Sequence, residues 1–233
     1  MPQVKRISSG VPGFDKMAEG GFKEGSINLL CGGAGSGKTT FAIQFLLEGM
    51  KRGEPGVYVT FEERKQKLYD DMLEFGWDLA KFENEGLFRF IEYTPQQIKK
   101  VLVEGGGTLD AVITQLRAKR LVIDSITSFS LLFKDELSKK ESALALFDLI
   151  NSWKCTALLT SQATSVSTDE VYGQMEFEVD SIIIFYHYKV GGIRKRAVEI
   201  LKMRGTKTPE NIVHLEIGKK GVEIFTEKIV SPP

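Results

Sequence analysis

A glycine-rich stretch near the start of the chain has the spacing of a phosphate-binding loop. It reads G-G-A-G-S-G-K-T-T over residues 32–40 and satisfies the pattern G-x-x-x-x-G-K-[ST]. In such a loop, glycines let backbone N–H groups wrap an anionic phosphate, and the helix that follows adds a favourable dipole. Lys38 would then reach the β- and γ-phosphates of ATP, and the Thr39 hydroxyl would ligate Mg²⁺. The residues predicted to bind ATP or ADP are Gly33, Ala34, Gly35, Ser36, Gly37, Lys38, Thr39 and Thr40.

A second candidate is Asp124, which follows the apolar residues Leu121, Val122 and Ile123. A buried strand that closes on an aspartate is the pattern of a Walker B strand, whose carboxylate holds the Mg²⁺ shell through water. The pattern is weak alone, because many strands end in an aspartate that caps a turn or helix. Behind a phosphate loop, we predict that Asp124 and Thr39 form the metal site. Ser125 either assists there or caps a helix.

Hydrolysis also needs a group that orients or deprotonates the attacking water. Glu62 and Glu63 follow a strand pattern, at the strand end where open α/β sheets bind ligands. We predict Glu62 as the catalytic carboxylate and Glu63 as its support; the alternative is that both open the next helix. Gln162 ends a further strand pattern, where it would either sense the γ-phosphate or cap a loop.

The elements that must position these residues form an alternating pattern of apolar strands and amphipathic helices. Strands are predicted over 26–31, 56–61, 87–92, 120–124 and 156–161, with helices over 38–51, 65–75, 109–118 and 139–153. The strand before the glycine-rich stretch and the helix after it favour a phosphate loop over a turn with an incidental lysine. Beyond Asp180, predicted strands over 181–189 and 194–203 flank Gly191-Gly192, and a second hairpin joins 212–217 to 222–225. We therefore predict one α/β domain over 1–233, with a mostly parallel, twisted sheet of the P-loop NTPase type and antiparallel C-terminal hairpins.

Composition and charge exclude several classes of protein. Lys plus Arg and Asp plus Glu number 31 each, so the chain lacks the net positive charge of a protein that coats nucleic acid. The apolar runs are too short to span a bilayer, and no secretory signal follows Met1, so we expect a cytoplasmic protein without a membrane partner. The two cysteines, Cys31 and Cys155, lie in apolar strand patterns and are predicted to be buried thiols.

Taken together, these residues resemble the RecA superfamily, and within it the KaiC-like ATPases. The resemblance covers nearly the whole chain. It rests on S-G-V-P-G-F-D at 9–15, G-G-F-K-E-G-S at 20–26, F-A-I-Q-F-L at 41–46, T-F-E-E at 60–63, I-D-S-I-T-S at 123–128, Y-G at 172–173 and L-K-M-R-G-T at 201–206. The T-F-E-E and K-M-R-G matches are specific, since RecA and RadA recombinases place other residues at both positions.

The resemblance implies a RecA-like core and a hexameric ring with ATP between subunits. It implies that the glutamate pair is catalytic and that Lys202 and Arg204 reach the γ-phosphate of the neighbouring subunit. A P-loop site with one lysine leaves transition-state charge uncompensated, and an arginine finger accelerates such reactions by roughly 10³–10⁵. A solvated basic edge of an outer strand is the alternative for this pair.

Several positions depart from the family pattern. The bacterial clock protein of this family carries two such domains in tandem, whereas this chain has one. Glu176 and Phe177 stand where the clock protein carries its phosphate-accepting serine and threonine, so autokinase activity at that place is not expected. Thr208 stands where the family often has histidine, and Gln162 resembles the sensor of recombinases.

Three functions remain for comparison: an ATP-hydrolysing ring that acts on an unknown protein partner, a recombinase-like DNA-binding ATPase, and a nucleotide-binding module with negligible turnover. The loop over 163–179 corresponds to the segment that grips DNA in recombinases. No lysine or arginine occurs from Cys155 to Tyr188, which disfavours DNA binding. The cations Lys189, Arg194, Lys195 and Arg196 cluster at a hairpin tip, where a solvated end is the first interpretation, a subunit or nucleotide contact the second, and DNA the last.

Overall fold

The computed structural model describes residues 4–94, 96–97, 100–101, 105–130, 133, 135–162 and 178–232. Its strands are β1 Arg6–Ile7, β2 Phe22–Lys23, β3 Ile27–Gly32, β4 Gly56–Thr60, β5 Phe88–Glu92, β6 Arg120–Asp124, β7 Thr156–Ser161, β8 Ser181–Val190, β9 Ile193–Met203, β10 Val213–Gly218 and β11 Gly221–Ile229. Its helices are α1 Phe14–Met17, α2 Lys38–Lys51, α3 Lys65–Leu73, α4 Leu79–Asn84, α5 Gly107–Leu116, α6 Ile126–Ser130 and α7 Glu136–Trp153.

Nine of these strands form one sheet in the order β11-β10-β9-β8-β3-β7-β6-β4-β5. The strands from β8 to β5 in that order pair in parallel, and β9, β10 and β11 add antiparallel pairs at the other side. The predicted parallel core with C-terminal hairpins is therefore confirmed. Strand β8 belongs to both parts, because it runs parallel to β3 and antiparallel to β9. A separate small sheet pairs β1 with β2.

Both faces of the central strands are buried, which explains their nearly continuous apolar sequences. Successive residues of β3 enter different cores: Leu30 packs with the helix that follows the phosphate loop, whereas Leu29 and Cys31 pack on the side of α5 and α7. This alternation follows from the two-residue period of a strand. The predicted burial of both cysteines is confirmed.

The largest difference from the predicted elements lies after β4. The helix predicted to Phe75 ends at Leu73, and a separate helix, α4, begins at Leu79. Gly76 adopts a φ of 76°, a left-handed conformation that ends a helix at little cost in glycine. The Asp78 carboxylate then accepts a hydrogen bond from the Lys81 N–H and caps the new helix.

Candidate functional site

The glycine-rich loop joins the end of β3 to the first turn of α2, as predicted. Gly35 and Gly37 have φ values of 70° and 108°, which suit glycine and strain other residues. The Lys38 ammonium is buried and donates to the carbonyl oxygens of Gly32 at 2.6 Å and Gly33 at 3.0 Å. Burial lowers the pKa of Lys38 below its usual value, and the nearby Asp124 carboxylate partly opposes that shift. The loop therefore holds a desolvated cation against its own backbone.

Asp124 is the centre of a hydroxyl network at the end of β6. Its Oδ2 accepts from the Thr39 hydroxyl at 2.7 Å and from the Tyr58 phenol at 2.8 Å, and its Oδ1 accepts from the Thr160 hydroxyl at 2.5 Å. Burial and the Asp124 carboxylate raise the pKa of Tyr58 well above its usual value, so this phenol stays protonated as a donor. Thr39 and Asp124, the two residues predicted to hold the metal, are thus in direct hydrogen-bond contact.

The sequence did not identify Tyr58 and Thr160 as residues of the site. They lie on β4 and β7, the two neighbours of β6 in the sheet, near the strand ends that carry the site. Each of the two residues places a polar group in a buried strand, and this is the feature of the sequence that could have pointed to them. Spacing along the chain cannot show that they share one acceptor.

The two glutamates diverge after β4. Their N–H groups both donate to the Thr60 hydroxyl, at 3.2 Å for Glu62 and 3.1 Å for Glu63. The Glu62 carboxylate accepts a hydrogen bond from the Ser128 hydroxyl, whereas the Glu63 carboxylate lies 3.6 Å from the Lys67 ammonium. Helix α3 begins only at Lys65, so neither glutamate lies in its first turn. Glu62 therefore faces α6, the helix that follows Asp124.

Gln162 lies directly beyond β7, beside the end of β3. Its neighbour Ser161 pairs with Cys31, which places Gln162 level with the start of the phosphate loop. Its N–H donates to the Thr127 hydroxyl at 2.8 Å, and its side chain is exposed. Residues 163–177, including Glu176 and Phe177, lie outside the described residues.

The cationic hairpin of β8 and β9 contributes two contacts to the phosphate loop. His187 Nδ1 lies 3.2 Å from the carbonyl oxygen of Ala34, and Arg196 Nε donates to the carbonyl oxygen of Gly35 at 2.8 Å. Arg196 is therefore not a solvated residue of the hairpin tip, contrary to the first interpretation. That interpretation does describe Lys195, which is exposed.

Lys202 and Arg204 lie at the opposite end of the sheet from the phosphate loop. Met203, between them, pairs with Ser181, and Ser181 pairs with Asn28 at the start of β3, whereas the loop follows the end of that strand. Four residues of strand separate the two ends, a distance of about 13 Å. Lys202 Nζ donates to the Val179 carbonyl at 3.0 Å, and the exposed Arg204 lies in the turn just after β9. Neither reaches the phosphate loop of its own chain.

The residues present fit a nucleotide with Mg²⁺. In the part of the chain that the structure describes, the buried hydroxyls of Ser36 and Ser125 have no hydrogen-bond partner, so polar capacity at this site is left for a ligand. Within the described parts of the chain, no group of three or more His, Cys, Asp or Glu side chains is arranged to hold a metal. Mg²⁺ is commonly held by one or two protein oxygens together with water and phosphate oxygens. The Thr39 hydroxyl and the Asp124 carboxylate provide that donor set.

Among the described residues, no helix is both long and apolar enough to cross a lipid bilayer.

Comparisons with known proteins agree with the fold. The family model described as the KaiC ATPase matches residues 7–229. KaiC3, a circadian clock protein of Synechocystis, is 34% identical over 231 residues, which cover 95% of this chain and 46% of that protein. A UPF0273 protein of Pyrococcus furiosus is 32% identical over 240 residues, which cover 97% of this chain and 96% of that protein.

A crystal structure of a KaiC-like protein from Pyrococcus horikoshii superposes with a TM-score of 0.84 at 39% identity, covering 96% of this chain and all of that one. This confirms the predicted RecA-like fold. The chain spans about half the length of the clock proteins that it matches. Because the family model matches residues 7–229 of the 233, the chain belongs to the KaiC family of ATPases.

Proposed function

We propose that this protein is a Mg²⁺-dependent ATPase that works as a hexameric ring, with ATP bound between subunits. The observation that carries the proposal is the pairing of Thr39 with Asp124 at 2.7 Å, directly beside the buried Lys38. A hydroxyl, a carboxylate and a desolvated ammonium in one place are the groups that phosphoryl transfer from ATP requires. Turnover would drive or time a conformational change in a protein partner.

The chain's own residues suggest the division of work. The loop amides and Lys38 bind the β- and γ-phosphates, and Thr39 and Asp124 would hold Mg²⁺, which neutralises phosphate charge when bound. Glu62 orients a water molecule and takes its proton. The water oxygen forms a bond to the γ-phosphorus as the bond from that phosphorus to the β–γ bridging oxygen breaks, which yields ADP and phosphate.

The position of Arg204 supports a site shared between subunits. The P-loop and Arg204 lie at opposite ends of β3 and its neighbours, so one chain cannot bring them together. Arg204 is exposed at that edge, where a second copy of the chain can approach it. We therefore assign Lys202 and Arg204 to the neighbouring subunit's site, where they would compensate charge on the γ-phosphate.

Point variants test the hydrolytic assignment. Lys38→Ala should abolish ATP turnover, and Glu62→Gln should lower it by orders of magnitude while preserving nucleotide affinity, because a water-orienting group acts mainly in the transition state. Phosphate release and ADP titration measure the two effects separately. Wild-type turnover in Glu62→Gln would show that another group orients the water.

Mixed rings test the shared site. An Arg204→Ala subunit keeps its own P-loop, and a Lys38→Ala subunit keeps its finger, so their mixture should recover activity that neither has alone. In an equal random mixture, about a quarter of the interfaces join an intact loop to an intact finger. Subunit exchange is verified by native mass spectrometry. Proven exchange without recovered turnover would refute the shared site.

The recombinase alternative is tested in the same assay. Because residues 155–188 contain no lysine or arginine, single-stranded DNA should not stimulate turnover at physiological salt. A strong, salt-sensitive stimulation would favour the DNA-binding ATPase instead.

A further inference from the structure

The β8–β9 hairpin extends past the end of β3 and lies against the phosphate loop. Phe185 pairs with Gly32, the last residue of β3, and β8 continues from there to Val190. In this extension, His187 and Arg196 stand directly opposite each other in the register of the two strands. Facing residues of an antiparallel pair project to the same side of the sheet. The hairpin therefore presents these two side chains together to the loop.

Both side chains bind carbonyl oxygens, which fixes their roles in the hydrogen bonds. A carbonyl oxygen only accepts, so His187 Nδ1 carries a proton and donates to Ala34 at 3.2 Å, as Arg196 Nε donates to Gly35 at 2.8 Å. Both side chains are half-buried, whereas Lys195, one position before Arg196 on the other face of the strand, is exposed. The contacts thus engage two successive peptide groups at the tip of the loop.

A bond to a carbonyl also determines where the next N–H points. In a planar trans peptide, the C=O of one residue and the N–H of the next point in opposite directions. A donor on the Ala34 oxygen therefore turns the Gly35 N–H away from the hairpin, and a donor on the Gly35 oxygen does the same for the Ser36 N–H. The Ser36 N–H makes a long, 3.4 Å contact with the Gly33 oxygen, the carbonyl that the Lys38 ammonium also approaches. It is thus directed to the side of the loop where the lysine lies.

We propose that His187 and Arg196 are positioning residues that preorganise the phosphate loop by holding the Gly35 and Ser36 N–H groups toward the bound phosphate. Phosphate loops bind anions through such amides. A loop held in its binding conformation loses less conformational freedom when the ligand arrives, so its affinity is higher. The inference rests on the proposed nucleotide site for the identity of the ligand, and it adds the hairpin as the element that shapes that site.

Matched substitutions separate the hydrogen bonds from bulk and charge. Arg196→Met extends as far as the position of Nε and removes the donor. Arg196→Gln places an amide N–H at the same number of bonds from Cα as Nε, without the charge. His187→Leu and His187→Asn form the equivalent pair for Nδ1. Lys195→Met removes a cation from the adjacent position on the other face of the strand and serves as the control.

Calorimetric titration with ADP and Mg²⁺ gives the first readout. Arg196→Met and His187→Leu should each raise the ADP Kd roughly tenfold, the effect of losing one hydrogen bond of the stronger kind. Arg196→Gln and His187→Asn should recover most of the affinity, and Lys195→Met should match the wild type. ATP should lose affinity by the same factor as ADP. A loss confined to ATP would mean that Arg196 contacts the γ-phosphate directly, and an unchanged ADP Kd in the double variant Arg196→Met/His187→Leu would overturn the proposal.

Hydrogen exchange in the nucleotide-free protein gives a readout that needs no ligand and no turnover. Peptides that cover residues 32–38 should exchange faster in the double variant, with the rest of the protein and the Lys195→Met control unchanged. Unaltered exchange in that segment would refute the inference. Tight ADP binding by a wild-type protein that does not hydrolyse ATP would instead refute the proposed function and leave this inference standing.

Discussion

Arg120 is a buried cation that connects the helix after the phosphate loop to the strand that carries Asp124. Only 1% of its side chain is exposed, and its Nε and Nη2 atoms lie 2.8 Å and 2.7 Å from the Glu54 carboxylate. Its Nη1 donates to the carbonyl oxygens of Ser8 at 2.8 Å and Phe45 at 2.7 Å. The guanidinium also stacks 4.6 Å from the centre of the Phe45 ring. To make these contacts, the Arg120 side chain must lie close to the backbone of α2.

This close approach of Arg120 to α2 requires glycine at position 49. A Cβ added to Gly49 would lie 2.3 Å from Arg120 Nε and 2.4 Å from its Cδ, well inside van der Waals contact. Helix propensity alone predicts that Gly49→Ala stabilises the protein by about 1 kcal/mol. Displacing the arginine from its buried ion pair costs about 3–5 kcal/mol. We therefore expect Gly49→Ala to lower the free energy of unfolding by about 2–4 kcal/mol.

Urea unfolding of the nucleotide-free protein measures this effect. The matched background is Arg120→Met, which removes the guanidinium that the new methyl group would strike. In that background Gly49→Ala should cost little or stabilise, so the two changes are strongly non-additive, as expected for residues in contact. A Gly49→Ala protein as stable as the wild type would refute the reasoning, because it would show that Arg120 moves aside without losing its partners.

Three further predictions concern the site and its surroundings. Tyr58→Phe should lower the free energy of unfolding by roughly 1.5–3 kcal/mol, because the half-buried Asp124 carboxylate loses a donor; unchanged urea stability would contradict this. Ser128→Ala should reduce kcat for ATP roughly tenfold by freeing the Glu62 carboxylate, with the ADP Kd unchanged, and a loss of affinity in titration would point to a structural role instead. Burial raises the pKa of Cys155 to about 11, so its thiol should resist alkylation at pH 8 until the protein unfolds, which mass spectrometry of the labelled peptide would show. Rapid labelling of the native protein would contradict its burial.

Local sequence determined the parts of this protein whose chemistry lies within a few consecutive residues. The phosphate loop was predictable because its glycines, lysine and threonine act at fixed spacing between a strand and a helix. The parallel core was predictable because strands covered on both faces are apolar along their whole length. Helix ends were less predictable, since the break between α3 and α4 depends on one left-handed glycine and one capping aspartate.

Only the tertiary structure decided which distant residues meet. Tyr58 and Thr160 share Asp124 because the sheet order places β4 and β7 on either side of β6, and no spacing along the chain encodes that order. The register of β9 carries Arg196 to the phosphate loop and Arg204 to the far end of the same sheet. An extended strand moves about 3.3 Å per residue, so residues close in sequence serve opposite ends of the sheet, while residues far apart in sequence meet at one end.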